Sequence, residues 1–507
     1  MFTKVNTCCL QGIDGHLVCV ETDVSPGLPG FEVVGLPDAT VKEARERVRA
    51  AIKNCGYEFP ARRLTVNLAP ADMKKVGSMF DLPIAAAILL ATDQVQAAAE
   101  NYVLIGELSL AGEIRPVPGV LPLVMGARAA GIENVIVPAE NAEEGALCEG
   151  LHVFGAATLA EAMAHLEGKT PLPETTADVA RLLEDSQMAM GDFAEVKGQE
   201  NVKRALEIAA AGGHNILIIG SPGSGKSMLA QRLPSILPPM TAAEALEVTR
   251  IHSVAGALPP ASPLLTVRPF RAPHHSASTV GLTGGGASVR PGEISLAHRG
   301  VLFLDELPEF RRDAMEILRQ PMEDGTVTVT RAAATHTYPS DFMLVAAMNP
   351  CRCGYYGDKT RRCKCTASSI ARYVGKISGP LLDRIDIRVE AETVTYSQLS
   401  APPAESSEQI RRRVTRAREL QAERLSALGL FCNAQLSKDV EERCDLTPAA
   451  ARMAKEAFTA MQMSARSYTR VLKVARTIAD LDGCAKVQDH HIAEAFRYHL
   501  PGDRLDV

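Results

Sequence analysis

Along the first third of the chain, apolar positions recur with two different periods. "FEVVGL" (31–36) and "RLTVNLA" (63–69) alternate as strands do, and between them "ATVKEARERVRAAIKNCGY" (39–57) repeats its apolar residues at helical spacing. "YVLIGELSLAGEIRPV" (102–117) predicts a hairpin turning at Ala111–Gly112, followed by a helix over 119–130 and a strand in "NVIVPA" (134–139). "EGKTPLPETTADVARLLEDSQMAMGD" (167–192) breaks the pattern with Pro, Thr and acidic residues, as a linker does. A second α/β unit starts near Phe193. From about 400 the period turns helical, in "SEQIRRRVTRARELQAERLSAL", "TPAAARMAKEAFTAMQ" and "SYTRVLKVARTIADL". The expected organisation is an N-terminal α/β domain (1–167), a linker (168–192), an α/β core (193–395) and a helical C-terminal domain (396–507). There are no repeats.

Length and composition change this picture little. The 507 residues suit two to four domains, and 46% hydrophobic with 22% charged residues is ordinary for a soluble protein. The longest apolar run, "LPIAAAILLA" (82–91), is too short for a bilayer, and the N-terminus lacks a signal peptide, so the expected location is the cytoplasm, with no membrane partner. The charge changes more. With 54 Lys and Arg against 60 Asp and Glu, any grip on nucleic acid must be local. No Trp and only 4% aromatic residues argue against broad base stacking, so such a grip would be on the backbone.

The second unit carries a phosphate-binding signature. "NILIIGSPGSGKSMLAQRL" reads strand, glycine-rich turn, helix, and Gly220, Ser221, Pro222, Gly223, Ser224, Gly225, Lys226 and Ser227 fit G-x-x-x-x-G-K-[ST]. In this arrangement backbone N–H groups face phosphates at a helix N-terminus, Lys226 reaches the β and γ oxygens, and the Ser227 hydroxyl holds Mg²⁺. About 80 residues on, the buried-strand run "GVLFLDE" ends in Asp305, suited to the metal, and Glu306, suited to polarising a water. A third strand, "DFMLVAAMNP", ends in Asn349, placed to orient that water. The cofactors implied are ATP and Mg²⁺.

Immediately afterwards, "CRCGYYGDKTRRCKC" packs four cysteines into fifteen residues. A disulfide clamp does not suit a reducing compartment. Cys351, Cys353, Cys363 and Cys365 have the makings of a tetrahedral Zn²⁺ site, although Cys-x-Cys is tighter than the usual Cys-x₂-Cys and free thiols stay open. The other cysteines are scattered, as small buried hydrophobes are. The loop also carries Arg352, Lys359, Arg361, Arg362 and Lys364 against Asp358, which suits either a phosphate-gripping element or a solvated stapled loop.

The order "GSPGSGKS", "VLFLDE", "AAMNP", "LLDRID" and then a helical lid resembles an AAA+ ATPase. "RPFRAPHHSASTVGLTGGG" (268–286) and "EDGTVTVTRAAATHTYPSDF" (323–342) resemble the helix-2 insert and pre-sensor hairpin of the magnesium-chelatase branch. With "YVLIGELSLAGEIRPVPGV" upstream and "SARSYTRVLKVARTIADLDG" (464–483) downstream, almost the whole chain is similar to the bacterial ComM/YifB family. The resemblance implies a P-loop AAA+ core with a C-terminal helical lid. It implies a homo-oligomeric ring, taken as a hexamer, in which Arg384 is a trans arginine finger. It makes Arg466 the lid sensor, with Arg470 as the other candidate. It also implies a DNA partner and branch migration during natural transformation. Arg268, Arg271, His274, His275, Arg331, Arg361 and Arg362 are the expected DNA contacts, on inserts facing the ring channel.

"GELSLAGEIRPVPGVLPLVMGARAAGIENVIVPAEN" resembles the Lon-protease-like domain (ribosomal S5 domain 2-like) also found on RadA recombination proteins. A Lon-type peptidase needs a serine and a lysine. Ser78 falls near the serine, but Leu121 and Leu123 stand where the lysine is expected, so this domain is read as non-proteolytic. A chelatase-like motor remodelling a protein partner is the alternative to a DNA motor; it needs neither the N-terminal domain nor the basic cysteine loop.

Overall fold

A strand pair that the hydrophobic pattern does not announce lies at the centre of the first sheet. In the computed structural model, which describes residues 1–184, 191–259, 262–286, 289–331, 334–358, 361–400, 402 and 404–499, Phe2–Gln11 and Asp14–Ser25 form a long antiparallel hairpin. Its register runs from Phe2 opposite Asp23 to Gln11 opposite Asp14. The alternation is real but masked, because Thr7, Cys8, Cys9 and Thr22 take buried positions where larger aliphatic residues would be conspicuous. Strands Arg63–Ala69 and Gly30–Val34 extend the sheet on one side, and Tyr102–Leu104, Asn134–Pro138, His152–Ala156 and Glu174–Thr175 on the other. The sheet is mixed, with antiparallel pairing at the hairpin, parallel pairing from Tyr102–Leu104 to His152–Ala156, and an antiparallel edge at Glu174–Thr175.

The run 82–91 becomes the helix Asp81–Ala91, buried from Leu82 through Leu89 and packed on the central hairpin. It is apolar all round because protein covers every face; each fully buried Leu or Ile contributes about 1.5–3 kcal/mol. The helix Ala39–Asn54 forms as expected, and the Asp38 carboxylate accepts the Val41 N–H at 2.8 Å to cap it. The hairpin expected over 102–117 is only partly right. Glu107–Leu108 pairs with Ile114–Arg115, but Tyr102–Leu104 leaves to join the large sheet.

The linker boundary also needs correction. Glu174–Thr175 pairs with the sheet edge, and Val179–Glu184 is a short helix. Leu172, Ala177, Val179, Leu182 and Leu183 pack on the first core, because their apolar side chains find a face there that solvent cannot offer. The first unit therefore reaches Glu184; of the rest of the expected linker, 185–190 lies outside the described residues.

The second sheet is parallel throughout, in the order Phe270–Arg271, Val301–Leu304, Met343–Met348, Ile216–Gly220, Ile387–Ala391. Both faces are covered, which is why its strands read as continuous apolar runs. Parallel pairing puts the carboxyl ends of neighbouring strands at one edge, and Gly220, Asp305 and Asn349 all lie there.

Helices Ser407–Leu425, Pro448–Ala460, Ala465–Leu481 and Asp489–Arg497 make the C-terminal domain. Its buried polar centre is Asp480, which accepts from Arg424, Arg476 and Asn433 at 2.8–3.1 Å. Two guanidiniums and an amide compensate the desolvated carboxylate.

The units are not beads on a string. Helix Ala242–Ala255 of the second unit packs on Val120–Ala129 of the first, and its Ala245 and Val248 belong to the first core. The buried Glu144 carboxylate accepts the Leu121 N–H at 2.9 Å within its own unit and the Ser253 hydroxyl from the other.

Helix Val120–Ala129 approaches the first hairpin through glycine on both sides. A Cβ on Gly15 would lie 2.1 Å from the Pro122 carbonyl, and one on Gly126 would lie 2.4 Å from the Gly15 carbonyl. Backbone opposes backbone, so nothing flexible can yield. Gly15→Ala should cost about 1–3 kcal/mol, the range for overpacking. A lower urea midpoint at unchanged m-value is the expected result; a midpoint equal to the parent's would refute the rigid approach.

Candidate active site

The strand Ile216–Gly220 is buried along its length, so its exit can turn only at the sheet edge, where the glycine-rich loop delivers Lys226 to the start of helix Lys226–Arg232. Lys226 is buried, and its ammonium donates to the Gly220 carbonyl at 2.7 Å, the Ser221 carbonyl at 3.0 Å and Asn349 Oδ1 at 3.2 Å. Burial lowers its pKa, and the charges of Asp305 and Glu306 oppose that shift. The Ser227 hydroxyl donates to Asp305 Oδ2 at 2.6 Å, and Asp305 Oδ1 accepts the Glu306 N–H at 2.9 Å. Glu306 sits in left-handed backbone (φ 52°) with its carboxylate about half exposed (53%). Such strain in a non-glycine residue is characteristic of functional sites.

These groups line a crevice of about 340 Å³ with Pro222, Gly223, Gly225, Met228 and Met348. It brings together a buried cation, a hydroxyl–carboxylate pair able to hold a divalent metal, a half-exposed carboxylate and an amide. That is the complement for binding a polyphosphate and directing water at it. Ser224 has its hydroxyl buried behind the loop.

Beside this crevice stands a residue assigned to DNA on sequence grounds. His275 Nδ1 lies 3.6 Å from Glu306 Oε2, and its ring stacks on His274 at 4.1 Å. The structure places His275 with the candidate base. Nothing in the local sequence marks this, because the two residues come from different strand ends.

The other arginines divide by what they already hold. Arg384 donates to the Pro380 carbonyl at 2.6 Å and pairs with Glu323; its side chain is 15% exposed. Arg466, at the start of helix Ala465–Leu481, is exposed and has no ion pair among the described residues. Arg470 is buried and committed to the Leu382 and Ile385 carbonyls, with Asp383 and Ser467 alongside.

The DNA expectations fare unevenly. Arg268 donates to the carbonyls of Pro238, Pro239 and Arg299 and to Glu244, so the expected DNA contact there is corrected to a structural clamp. Arg271 makes a two-pronged pair with Glu293 through Nε and Nη2 at 2.7 and 2.8 Å, which partly neutralises its charge toward a phosphate. His274 is exposed. Arg331 ends the strand Thr326–Arg331 of the hairpin; its side chain lies outside the described residues. Arg361 folds onto Tyr355, donating to its hydroxyl at 2.7 Å with the guanidinium 5.1 Å from the ring centroid. Arg362 and Lys364 are exposed, as is Arg290 just after the insert. Lys359 lies outside the described residues.

The four cysteines do converge. Cys351 Sγ is 3.4 Å from Cys353 and 3.7 Å from Cys363, Cys353 is 3.6 Å from Cys363, and all four sulfurs lie within 4.8 Å of one another. Four thiolates about 2.3 Å from one zinc stand about 3.8 Å apart. The backbone N–H groups of Lys364 and then Tyr355 lower the Cys353 pKa to about 6, whereas Cys363, despite the Cys365 N–H, is raised by burial and the neighbouring sulfurs.

In the first unit the Ser78 hydroxyl donates to Glu107, and Leu121 and Leu123 are fully buried. The buried Lys75 gives its ammonium to the Pro70 and Met73 carbonyls. No lysine hydrogen-bonds the serine among the described residues.

The chain matches three family descriptions: "Subunit ChlI of Mg-chelatase" over residues 20–141, "Magnesium chelatase, subunit ChlI" over 192–399, and "Magnesium chelatase, subunit ChlI C-terminal" over 404–499. The competence protein ComM of Haemophilus influenzae is 43% identical over 500 residues, covering 96% of this chain and 95% of that one. The YifB protein of Escherichia coli is 44% identical over 506 residues, covering 99% and 97%. The magnesium-chelatase 67 kDa subunit of Chlorobaculum parvum is 30% identical over 164 residues, which cover 31% of this chain and 23% of that one. No helix among the described residues is long and apolar enough to cross a membrane.

Proposed function

The chain belongs to the ComM/YifB family of magnesium-chelatase-like AAA+ proteins, and we propose that it is an ATP-driven DNA motor of the cytoplasm that moves branched recombination intermediates during natural transformation. The observation that carries the reading is the convergence of Lys226, Ser227, Asp305, Glu306 and Asn349 on one sheet edge. The full-length likeness to a competence protein supports the DNA side of it.

In this reading the triphosphate takes the place of the carbonyls that now hold Lys226. Ser227 and Asp305 would hold Mg²⁺, which would supply positive charge at the γ-phosphate. Glu306 accepts the proton of a water that Asn349 orients. Arg384 leaves Glu323 to reach a neighbouring subunit's nucleotide in a homo-oligomeric ring, taken as a hexamer, and Arg466, the uncommitted lid arginine, reaches the nucleotide from above. The four cysteines hold Zn²⁺. The N-terminal unit serves as a Lon-like scaffold without peptidase activity, since among the described residues Ser78 pairs with Glu107 and with no lysine. DNA is held by its backbone through Arg331, Arg362, His274 and Arg290.

Lys226→Ala should abolish ATP binding. Glu306→Gln should keep binding but cut turnover by about 10²-fold or more, the scale of general-base loss. Arg384→Ala should hydrolyse poorly alone and recover part of its activity when mixed with Lys226→Ala protein under conditions of subunit exchange. Full turnover by Glu306→Gln, or no recovery at any mixing ratio, would remove the base or the trans finger respectively.

Elemental analysis of the purified protein should find about one zinc per chain. Replacing Cys351 and Cys353 by Ser should remove it, since two thiolates cannot close a tetrahedral site. Metal-free parent protein would return these residues to free thiols.

On synthetic four-way junctions with ATP, the protein should drive strand exchange. Reversing Arg331 and Arg362 to Glu should weaken DNA binding at least tenfold and reduce the slope of log affinity against log salt by about two, one for each phosphate no longer neutralised. An unchanged slope would place the DNA path elsewhere, and a motor inert on junctions but stimulated by a protein substrate would favour the chelatase-like alternative.

A further inference from the structure

The cysteine loop touches the phosphate loop, and it does so through a residue with no assigned role. Asp358, midway between the cysteine pairs, accepts the Ser221 hydroxyl on Oδ2 at 2.6 Å. The same oxygen lies 3.3 Å from the Thr393 hydroxyl, just past the neighbouring strand, and Oδ1 accepts the Arg361 N–H at 2.9 Å. Four residues before Asp358, Gly354 (φ 87°) lies flat against Pro222; a Cβ there would sit 2.5 Å from the Pro222 ring. The contact is fitted on both sides: a glycine where only glycine fits, and a carboxylate on a hydroxyl.

The two ends of this loop are fixed differently. Its entry follows Asn349, which already bonds Lys226. Its return, through Cys363 and Cys365, depends on the sulfurs staying together, because the segment between the pairs has no helix or strand among the described residues to hold it. What keeps Asp358 on Ser221 is thus the closure of the four-cysteine cluster.

We propose that the cysteine module is a positioning element of the nucleotide site. The closed cluster presses Asp358 onto Ser221 and Gly354 onto Pro222, fixing the entry of the phosphate loop and so setting its affinity for nucleoside triphosphate. This rests on the reading of the cluster as a zinc site, and it makes metal occupancy a condition for tight nucleotide binding. Because Asp358 also holds the backbone of Arg361, a load on the basic arm reaches the phosphate loop through one side chain.

The test measures affinity for a fluorescent ATP analogue, zinc content and thermal unfolding on the same preparations of full-length protein. Asp358→Ala should weaken the analogue about tenfold, the size of one charge-assisted hydrogen bond, with zinc content and melting unchanged. Asp358→Asn, which keeps an acceptor for Ser221, should restore most of that affinity. Cys353→Ser with Cys363→Ser should lose zinc and weaken the analogue at least as much, and adding Asp358→Ala to it should change little, since the Asp358–Ser221 pairing is already gone. Parent affinity in Asp358→Ala overturns the proposal, as does no recovery in Asp358→Asn. If the parent protein holds no zinc, the metal reading fails by itself, and the Asp358 pair of variants still decides whether the loop positions the nucleotide site.

Discussion

A buried ammonium is the constraint around which the second unit is arranged. Lys226 cannot be desolvated without oxygen partners, and it has three: two carbonyls of its own loop and the Asn349 amide from another strand. Those three oxygens share one place only because Ile216–Gly220 and Met343–Met348 are adjacent and parallel, from Ile216 beside Val345 to Ile219 beside Met348. Shift that register by one residue and Asn349 turns away. A triphosphate offers the same ammonium more charge at the same place, so the loop carbonyls are partners that a nucleotide can replace.

Much of this was legible in the sequence because the chemistry forces the residues into contiguous motifs. A phosphate loop must be glycine, lysine and hydroxyl in order, and a strand that ends in Asp-Glu announces its own edge. The cysteine cluster was legible for the same reason. What stayed hidden depends on partners far along the chain. The first hairpin escaped because Thr7 and Thr22 are buried like apolar residues. Arg268 and Arg271 read as free cations, yet Glu244 and Glu293, more than twenty residues away, neutralise them. His275 read as a DNA contact, and its neighbour is Glu306. Asp358 read as the one acid in a basic loop, and Ser221 lies 137 residues upstream.

The junction between the first two units follows the same logic at larger scale. Ala245 and Val248 complete a core that belongs to the first unit, and the buried Glu144 is satisfied by both sides, from Leu121 and from Ser253. Burial raises the Glu144 pKa against the hydrogen bonds that lower it. A carboxylate so placed is costly to leave unpartnered, which ties the orientation of helix Ala242–Ala255 to the first unit. That helix leads into the insert that carries Phe270–Arg271 and His275. The N-terminal unit is therefore mechanically continuous with the strand end that faces Glu306, even though it holds no residue of the site.

The distribution of arginines bears on how an acidic protein would hold both ATP and a polyanion, as proposed. Several arginines of the second unit are already paired: Arg268 with Glu244, Arg271 with Glu293, Arg299 with Glu247 and Asp341. Their buried or two-pronged geometry makes them hard to release. Arg384 differs. Its partner Glu323 is 59% exposed, so solvent screens that side of the pair. A neighbour's triphosphate, with several charges in a dry interface, would displace that glutamate. In the proposed ring, the pair would keep Arg384 ordered in the single chain and give it up on assembly, so that completing the site and assembling the ring would be the same event.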